Sequence, residues 1–294
     1  MVYNEKEEVW KIFKVMKEFV FKVKKKHDGY KATDFLKESG VSQEIIQRIK
    51  KGGIFVNGEA LLNVNDLIKN KDKVKIILPK DEANKHVIPV REKLKVLYED
   101  EYLIAVIKES GVITHSAKYN ESPSLEQKVC GYFLPDTFTF RPINRLDKDT
   151  SGIVLIAKDE FTASLLNEQI KNGKMKKTYR AIVKGVPNRK RFIIEEPIKR
   201  LNENSIKRVC DEAGQYAKTE CRLKKVLDNV LSILEIKLHT GRTHQIRVHL
   251  AHVGYPLYAD ALYGEKVIGK TFTLIAYKLV FVHPFKNKKI KIKM

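Results

Sequence analysis

The 294-residue sequence has little cysteine and no long apolar run. Its three cysteines, Cys130, Cys210 and Cys221, are odd in number and widely spaced, which argues against a disulfide-stabilised scaffold. No stretch approaches the about 18 consecutive apolar residues of a membrane-spanning helix. Residues 1–10 are acidic rather than apolar, so a secretory signal is not expected. These shortages together predict a cytoplasmic protein that makes no membrane contact.

Acidic residues are also scarce relative to basic ones. The chain has 36 Asp and Glu against 57 Lys and Arg, a formal net charge of +21. Residues 1–80 and residues 81–294 are both basic, so the charge is not confined to one tail. Basic surface attracts polyanions and raises their encounter rate. The charge alone does not separate RNA from duplex DNA, and a lysine-rich composition can also serve solubility.

The first part of the chain predicts a small unit of strands and short helices. Ser42 can cap a helix, the pair Gly52-Gly53 can end it, and Asn57-Gly58 favours a tight hairpin because both residues tolerate positive φ. The polar residues 80–93, with Pro89 among them, predict a linker. The elements predicted before the linker are strands at 9–13, 19–23, 54–56 and 74–78 and helices at 33–38 and after Ser42.

Residues 94–294 are richer in strand patterns than in helix patterns, which predicts a mixed α/β or α+β domain. The lysine-rich tail, 286–294, is typical of a solvated edge strand or chain end. The elements predicted in this part are strands at 95–98, 103–107, 153–157, 179–183, 231–238 and 273–282 and helices at 159–171 and 245–253.

A first candidate for chemistry is the segment 142–158, PINRLDKDTSGIVLIAK. Ser151 and Gly152 suit a tight turn, and the apolar run after them predicts a strand that anchors it. Asp147 would then be displayed on a rigid loop with Arg145 beside it. A carboxylate near a cation stays ionised, which is the state needed for a nucleophile. From the residues alone, an ordinary surface turn remains the alternative.

A second candidate is the segment 238–264, which crowds Arg242, His244, Arg247, His249 and His252 into eleven residues. The histidine spacings are five and three with no cysteine nearby, so no metal site is expected. Arginine, histidine and glutamine on a loop and helix start suit phosphate groups, through charge-assisted and bidentate hydrogen bonds.

Together the two segments resemble the RluA family of RNA pseudouridine synthases. Residues 145–158 match its Arg-Leu-Asp, two variable residues, Thr-Ser-Gly, apolar strand and Ala-Lys. Residues 241–249, GRTHQIRVH, match its second motif, and residues 177–179 match its Lys-x-Tyr. The resemblance covers about residues 94–294. The departures from the family pattern are Asn144 in place of His, Lys108-Glu109 in place of Lys-Pro, and Ala259-Asp260 in place of Gly-Asp.

The resemblance implies an α+β fold, in which a large, mostly antiparallel mixed sheet flanked by helices forms the catalytic domain at 94–294. The N-terminal unit, about 28–79, resembles an S-four-type RNA-binding domain with two short helices and a small hairpin-rich sheet. We therefore predict N-terminal strands and an RNA-binding domain at 1–79, a linker at 80–93 and the catalytic domain beyond it.

The resemblance also implies the activity, which is isomerisation of uridine to pseudouridine in RNA. Asp147 would be the nucleophile or base, Tyr179 would stack on the uracil, and Arg247 would pair with the Asp147 carboxylate. Arg145 would hold the extruded strand or fill the vacated stack. The residues expected to contact RNA are Arg145, Arg242, His244 and Gln245.

No cofactor is expected, because the reaction needs no redox change and no energy input. Ribosomal RNA, the 23S RNA in particular, is the expected partner, and transfer RNA is the alternative. We expect a monomer with no obligate protein partner. The competing hypothesis is a non-catalytic RNA-binding or ribosome-assembly protein on the same fold. A duplex-DNA binder has only the net charge in its favour.

Overall fold

The structure is a computed structural model that describes residues 17–61, 63, 65–78, 86–116, 122–134, 138–286 and 288–294. The strand predicted at 9–13 and residues 80–85 of the predicted linker lie outside the described residues. The α+β class predicted from the sequence is confirmed, with a mixed, mostly antiparallel large sheet and a small N-terminal unit. No helix in the described ranges has the length and apolar content to cross a bilayer.

The N-terminal unit, residues 17–78, is a four-stranded sheet covered by two short helices. The helices bury the apolar residues of one face, with Phe35 and Leu36 on the first and Ile45, Ile46 and Ile49 on the second. The elements are β1 (Lys17–Lys22), a 3₁₀ turn (Lys25–His27), α1 (Ala32–Glu38), α2 (Gln43–Ile49), β2 (Ile54–Val56), β3 (Glu59–Ala60) and β4 (Lys73–Leu78). The strand order in the sheet is β1-β4-β2-β3.

Local signals in this unit behave as the sequence predicts. The Ser42 hydroxyl accepts a hydrogen bond from the Ile45 amide at 3.3 Å and caps α2. Asn57 and Gly58 have φ of 53° and 96°, and Val56 pairs with Glu59 across them. Both torsions lie in the region that a two-residue hairpin requires.

The rest of the chain forms a large sheet and a separate pair of strands, with three helices among the described residues. The elements are β5 (Val96–Glu99), β6 (Leu103–Lys108), α3 (Leu125–Tyr132), β7 (Arg141–Pro142), β8 (Ser151–Ala157), α4 (Glu160–Lys171), β9 (Lys176–Lys184), β10 (Arg191–Ile194), β11 (Ile198–Arg200), β12 (Arg208–Cys210), β13 (Thr219–Val226), β14 (Leu231–Leu238), α5 (Gln245–His252), β15 (Leu274–Val282) and β16 (Lys289–Lys293). The main path of the large sheet is β10-β13-β14-β9-β15-β8-β6-β5, with β16 beside β15 and β7 beside β8, and β11 and β12 pair only with each other among the described strands.

Strands β6 and β8 lie at the centre of the core and are apolar on both faces. Val154 and Ile156 belong to the core cluster on one side of the sheet, and Ile153 and Leu155 belong to the cluster on the other. A strand that is buried on both faces has a continuous apolar sequence, and such a sequence at 153–157 is what predicts β8. β8 pairs antiparallel with β6 and parallel with β15.

Regular structure occurs in two long stretches, 108–152 and 184–230, for which the sequence predicts no element. Helix α3 lies within the first stretch, and strands β10 to β13 lie within the second. β13 has the sequence TECRLKKV and shifts register against β14 between Leu223 and Lys225. Its charged residues and this irregularity mask the period-two alternation that identifies a strand.

The N-terminal unit packs against α4 through an aromatic cluster. Phe161, at the start of α4, is fully buried, and its ring centroid lies 4.9 Å from that of Phe19 and 5.7 Å from that of Phe285. Lys17 forms an ion pair of 2.9 Å with Asp159, which also caps α4 by accepting from the Thr162 amide. The N-terminal unit is therefore joined to the first turn of α4, a helix that packs in the large-sheet part of the chain.

We predict that Phe161→Ala lowers the free energy of unfolding by about 3–5 kcal/mol, the usual cost of deleting a buried phenylalanine ring. Because Phe161 bridges the two parts, residues 17–78 should then exchange amide hydrogens earlier than the large sheet does. Phe281→Ala is the matched control, since Phe281 is equally buried but lies in a cluster away from the N-terminal unit. If hydrogen exchange of residues 17–78 responds equally to both variants, the bridging role is wrong.

Candidate active site

The seven residues singled out in the sequence line one open cleft of about 1550 Å³. They come from three places in the fold: the loop before β8, the strand β9, and the segment from the end of β14 into α5. Since these segments are far apart in sequence, the fold alone brings them together. The seven are Arg145, Asp147, Tyr179, Arg242, His244, Gln245 and Arg247.

The loop that carries Asp147 is held by hydrogen bonds to its own backbone and to the segment 108–114. The Thr150 amide donates to the Asp147 carbonyl at 3.1 Å. The hydroxyl of Thr114 donates to the Leu146 carbonyl at 2.7 Å, and that of Ser110 donates to the Asp149 carbonyl at 2.8 Å. The backbone on both sides of Asp147 is therefore fixed.

The side chain of Asp147 itself is half-buried in the cleft. Within the described ranges, its carboxylate accepts no hydrogen bond and forms no ion pair, although its charge acts on Tyr179, His244, Arg247 and Lys108. A carboxylate with unshared oxygen lone pairs, on a fixed backbone and among polarising neighbours, is available to a reacting group.

Lys108 is a residue of this site that the sequence interpretation missed, since it was noted there only as part of a departure from the family pattern. Its side chain is fully buried, and its ammonium donates to the carbonyls of Glu109, Val112 and Lys148 at 3.0, 2.6 and 2.8 Å. Burial lowers the pKa of Lys108 to about 8, although the charges of Asp149 and Asp147 oppose that shift. The bond to Lys148 ties β6 to the residue next to Asp147.

Asn144 stands where the family usually has histidine, and it contributes to the same support. Its amide donates to the Ile153 carbonyl and accepts from the Leu155 amide, both at 2.9 Å. The Asn144 side-chain amide therefore forms the pair of hydrogen bonds with β8 that a neighbouring strand's peptide group would form, and it fixes the loop before β8 to that strand.

The Thr-Ser-Gly part of the motif serves a different purpose from the one predicted. Ser151 and Gly152 are the first residues of β8, and the turn lies before them. Gly152 has φ of 126°, and a Cβ atom there would lie 2.4 Å from the Ala276 carbonyl oxygen. Glycine is needed because β8 and β15 approach closely at their parallel pairing, at Gly152 and Ala276.

Tyr179 lies in the middle of the sheet, between Ile236 of β14 and Ala276 of β15. It is 6% exposed, and it lines the cleft together with Asp147. Burial, with a further contribution from the charge of Asp147, raises the pKa of the Tyr179 hydroxyl well above its usual value. The hydroxyl therefore remains protonated at neutral pH and can donate a hydrogen bond.

Arg247 has a different hydrogen-bonding partner from the one expected. Its guanidinium donates from Nε and Nη2 to the two oxygens of Asp260, both at 2.7 Å, and it lies between the rings of Tyr263 and Phe272. Burial alone would lower the pKa of Arg247, but the bond to Asp260 and the charge of Asp147 raise it. Arg247 thus acts on Asp147 through its electric field, while Asp260 holds it in place.

Gln245 and His244, at the start of α5, are placed to support the site. Gln245 is 2% exposed, and its amide group accepts from the Thr240 hydroxyl and the Arg242 amide and donates to the Lys218 carbonyl and the Thr219 hydroxyl. The expectation that Gln245 contacts RNA stays a prediction, and in this structure its side-chain amide is engaged in hydrogen bonds inside the protein.

His244 is half-buried, and its Nδ1 lies 2.8 Å from the Tyr263 hydroxyl. Burial lowers the pKa of His244, against the opposing effect of Asp147. The imidazole is therefore neutral at pH 7 and does not add a positive charge to the cleft.

The two remaining arginines are the exposed ones. Arg145 is exposed, lines the cleft and, within the described residues, makes no side-chain hydrogen bond. Arg242 is also exposed, and it donates to the Tyr216 carbonyl at 3.0 Å and to the Gln215 side chain at 3.1 Å. Arg145 therefore has a free guanidinium at the mouth of the cleft, and Arg242 has a more fixed one.

We predict that Lys108→Met lowers the free energy of unfolding by about 2 kcal/mol or more, because a buried carbonyl left without a donor costs about 1–3 kcal/mol. Protection of the amides of residues 146–149 against hydrogen exchange should fall more than that of β6. Lys95→Met is the control, since Lys95 is exposed and its ion-pair partner in the described part of the chain is exposed Glu109, and its effect should stay within about 0.5 kcal/mol. Equal stability of the two variants in urea would contradict the role of Lys108.

The sequence pattern of the RNA pseudouridylate synthase family matches residues 102–252. The uncharacterized RNA pseudouridine synthase YhcT of Bacillus subtilis is 35% identical over 91% of this chain and 90% of its own length. The ribosomal large subunit pseudouridine synthase D of Zymomonas mobilis is 30% identical over 85% and 84%.

The solved structures that resemble the chain share its fold. The human RNA pseudouridylate synthase domain containing 1 has a TM-score of 0.57 and 23% identity, covering 69% of this chain and 83% of its own. The human RNA pseudouridylate synthase domain containing 4 has a TM-score of 0.56 and 20% identity, covering 68% and 87%. At these identities the likeness concerns the fold.

Proposed function

The chain belongs to the RNA pseudouridylate synthase family, and on that premise we propose that it is an RluA-type enzyme that isomerises a uridine of 23S ribosomal RNA through Asp147. Family membership makes it an isomerase that acts on uridine in RNA. The observation that supports Asp147 is its unshared carboxylate on a fixed loop, in the same cleft as Tyr179 and Arg247. The ribosomal target is supported by the name of the Zymomonas mobilis relative.

The reaction breaks the bond between N1 of uracil and C1′ of ribose and forms a bond between C5 and C1′. The proton on C5 is lost, and N1 gains a proton, so atoms and charge balance without an oxidant or reductant. Three routes use a carboxylate: attack on C1′, attack on the uracil ring, or removal of a sugar proton to give a glycal. Asp147 can serve in each, and all three require it to be ionised and close to the base and sugar.

The environment of Asp147 supports this role in two ways. The fixed positive charge of Arg247, paired with Asp260, stabilises a negative carboxylate near it without using its lone pairs. A preorganised charge of this kind needs no rearrangement during the reaction. The protonated hydroxyl of Tyr179 can donate a hydrogen bond to the uracil, and its ring offers a surface for stacking.

The target base must leave its stack to reach the cleft, which costs a few kcal/mol. Arg145 is suited to stabilise that state, because a guanidinium can stack on neighbouring bases or hold a phosphate. Its side chain is exposed and makes no internal hydrogen bond among the described residues. Arg242 is the next candidate for a phosphate contact, while Gln245 orients the loop that carries it.

The N-terminal unit is proposed to be an S-four-type RNA-binding domain within residues 1–79, joined by residues 80–93 to the catalytic domain at 94–294. Its two consecutive helices and hairpin support this assignment. Lys50 and Lys51, at the end of α2, and Lys24 and Lys25, after β1, are exposed and present positive charge. Contact of the N-terminal unit with RNA would increase the affinity of the protein for its substrate.

We predict that Asp147→Asn abolishes pseudouridine formation, a fall on the order of 10⁴-fold or more, as seen when a member of a catalytic unit is removed. The fold should survive, since the Asp147 side chain makes no hydrogen bond to any other described residue. Asp149→Asn is the matched control two residues away on the same loop, and it should retain most activity. Tritium release from 5-tritiated uridine in RNA measures both. Activity of the Asp147→Asn protein near the wild-type level would overturn the assignment.

Deletion of the gene should remove a pseudouridine from 23S ribosomal RNA. Expression of the wild-type protein in the deletion strain should restore that pseudouridine, and expression of the Asp147→Asn variant should not. Mapping of pseudouridines in total RNA measures this directly. Loss of a site in transfer RNA instead would correct the target and leave the chemistry intact. If no site is lost anywhere, the non-catalytic RNA-binding hypothesis is favoured.

A further inference from the structure

The cleft extends from Asp147 across the sheet to a group of lysines that the proposed chemistry does not use. Strands β9, β15 and β16 present them, and we call this group the lysine face. It consists of Lys176, Lys278, Lys289, Lys291 and Lys293. Lys176, Lys278, Lys289 and Lys291 line the same cleft as Asp147 and Tyr179.

The strand register places these lysines on one side of the sheet. Val280 pairs with Lys176 on one side and with Lys291 on the other, so Lys176 and Lys291 flank it. Lys278 pairs directly with Lys293. Directly paired residues point to the same face, neighbouring strands are about 4.8 Å apart, and residues i and i+2 on one strand are about 6.8 Å apart. The ammonium groups therefore form a compact two-dimensional array.

This array is unfavourable for the isolated protein, since like charges directly opposite in a sheet destabilise it. Within the described ranges, none of the five lysines forms an ion pair. Among the described residues, twelve Lys and Arg line the cleft and two acidic residues do, Asp147 and Glu220, and Glu220 is already paired with Lys237 at 2.8 Å. A polyanion would relieve the repulsion.

Protection of an exposed edge is the simpler explanation for lysines on β16, since edge strands often carry them. It accounts for Lys289, Lys291 and Lys293. It does not account for Lys278, because β15 pairs there with Thr178 of β9 on one side and with Lys293 of β16 on the other. The lysine face therefore extends from the edge strand β16 across β15, which is an interior strand, to the start of β9, and edge protection does not require this.

We propose that the lysine face is the surface on which phosphates of the RNA strand flanking the target uridine lie. The proposal rests on the proposed function, since it assigns RNA as the ligand, and deepens it by naming the part of the fold that holds the flank. Ammonium groups on a rigid sheet bind phosphate as point charges and read no bases. The face would therefore set affinity and the direction of the strand, leaving chemistry to Asp147.

The test compares two triple variants that change net charge equally. Lys176→Glu, Lys289→Glu and Lys291→Glu together reverse three exposed positions of the lysine face. Lys190→Glu, Lys224→Glu and Lys225→Glu together are the control, because these lysines are exposed and none lines the cleft. Binding of a labelled short oligouridylate and of transcribed 23S ribosomal RNA is measured by fluorescence anisotropy over a range of salt concentrations.

The lysine-face variant should bind both RNAs on the order of 10-fold or more weakly. Its plot of log affinity against log salt should be shallower by about 2–3, since each lost phosphate contact reduces the slope by about 1. In pseudouridine assays KM should rise while kcat at saturating RNA stays near wild type, because none of the three positions adjoins Asp147. The control variant should change binding by less than about 3-fold.

Equal weakening in both variants would overturn the proposal, because net charge and not the face would then be responsible. Wild-type binding by the lysine-face variant would also overturn it, and aggregation of that variant would indicate edge protection instead. If the glutamate variant does not fold, the glutamine version of the same three positions must show the shallower salt slope, or the proposal fails. A wild-type protein that binds RNA through this face yet forms no pseudouridine would refute the proposed function and leave the face standing.

Discussion

Lys108 places an ammonium group beneath the loop that carries Asp147, and the geometry of the site depends on it. Removing a charged group from water is costly, and three backbone carbonyls offset this cost by accepting hydrogen bonds from the Lys108 ammonium group. One of them belongs to Lys148, so the end of β6 and the loop before β8 share a buried donor. Together with the hydrogen bonds of Asn144 and Thr114, this bond fixes the backbone around Asp147 to the central strands. A group held in this way needs no reorganisation to meet its substrate.

The basic groups near Asp147 differ in whether they already have hydrogen-bond partners within the protein. Arg247 donates two hydrogen bonds to Asp260, and its guanidinium carbon lies 4.9 Å from the ring centroid of Tyr263 and 4.6 Å from that of Phe272, so its charge is held in a fixed position. His244 is kept neutral by burial. Arg145, by contrast, is exposed and free of internal bonds among the described residues. The site therefore separates the charge that orients the carboxylate from the charge that is available to the substrate, which prevents the two roles from competing.

What the sequence predicted correctly was encoded locally. The cap at Ser42, the hairpin at Asn57-Gly58 and the apolar run of β8 each depend on residues within one turn or one strand. What it did not predict depends on partners far away. The role of Lys108 is defined by a carbonyl forty residues on, and Asp260 could be assigned to Arg247 only once the fold had brought α5 against the segment after it. Gln245 belongs to the second motif, but its burial and its hydrogen bond to Thr219 depend on a residue far away in the sequence.

Helix α4 connects the N-terminal unit to the cleft. Its first turn holds Phe161 in the aromatic cluster with Phe19, and its last turn brings Ile170 and Lys171 to the lining of the cleft. Its twelve residues span about 18 Å at 1.5 Å per residue. Because a helix of this length is stiff and its start is packed into the core of the N-terminal unit, the distance between that unit and Asp147 is fixed. An RNA that contacts both must therefore present its target uridine at a set separation from the second point of contact, a geometric requirement independent of base sequence.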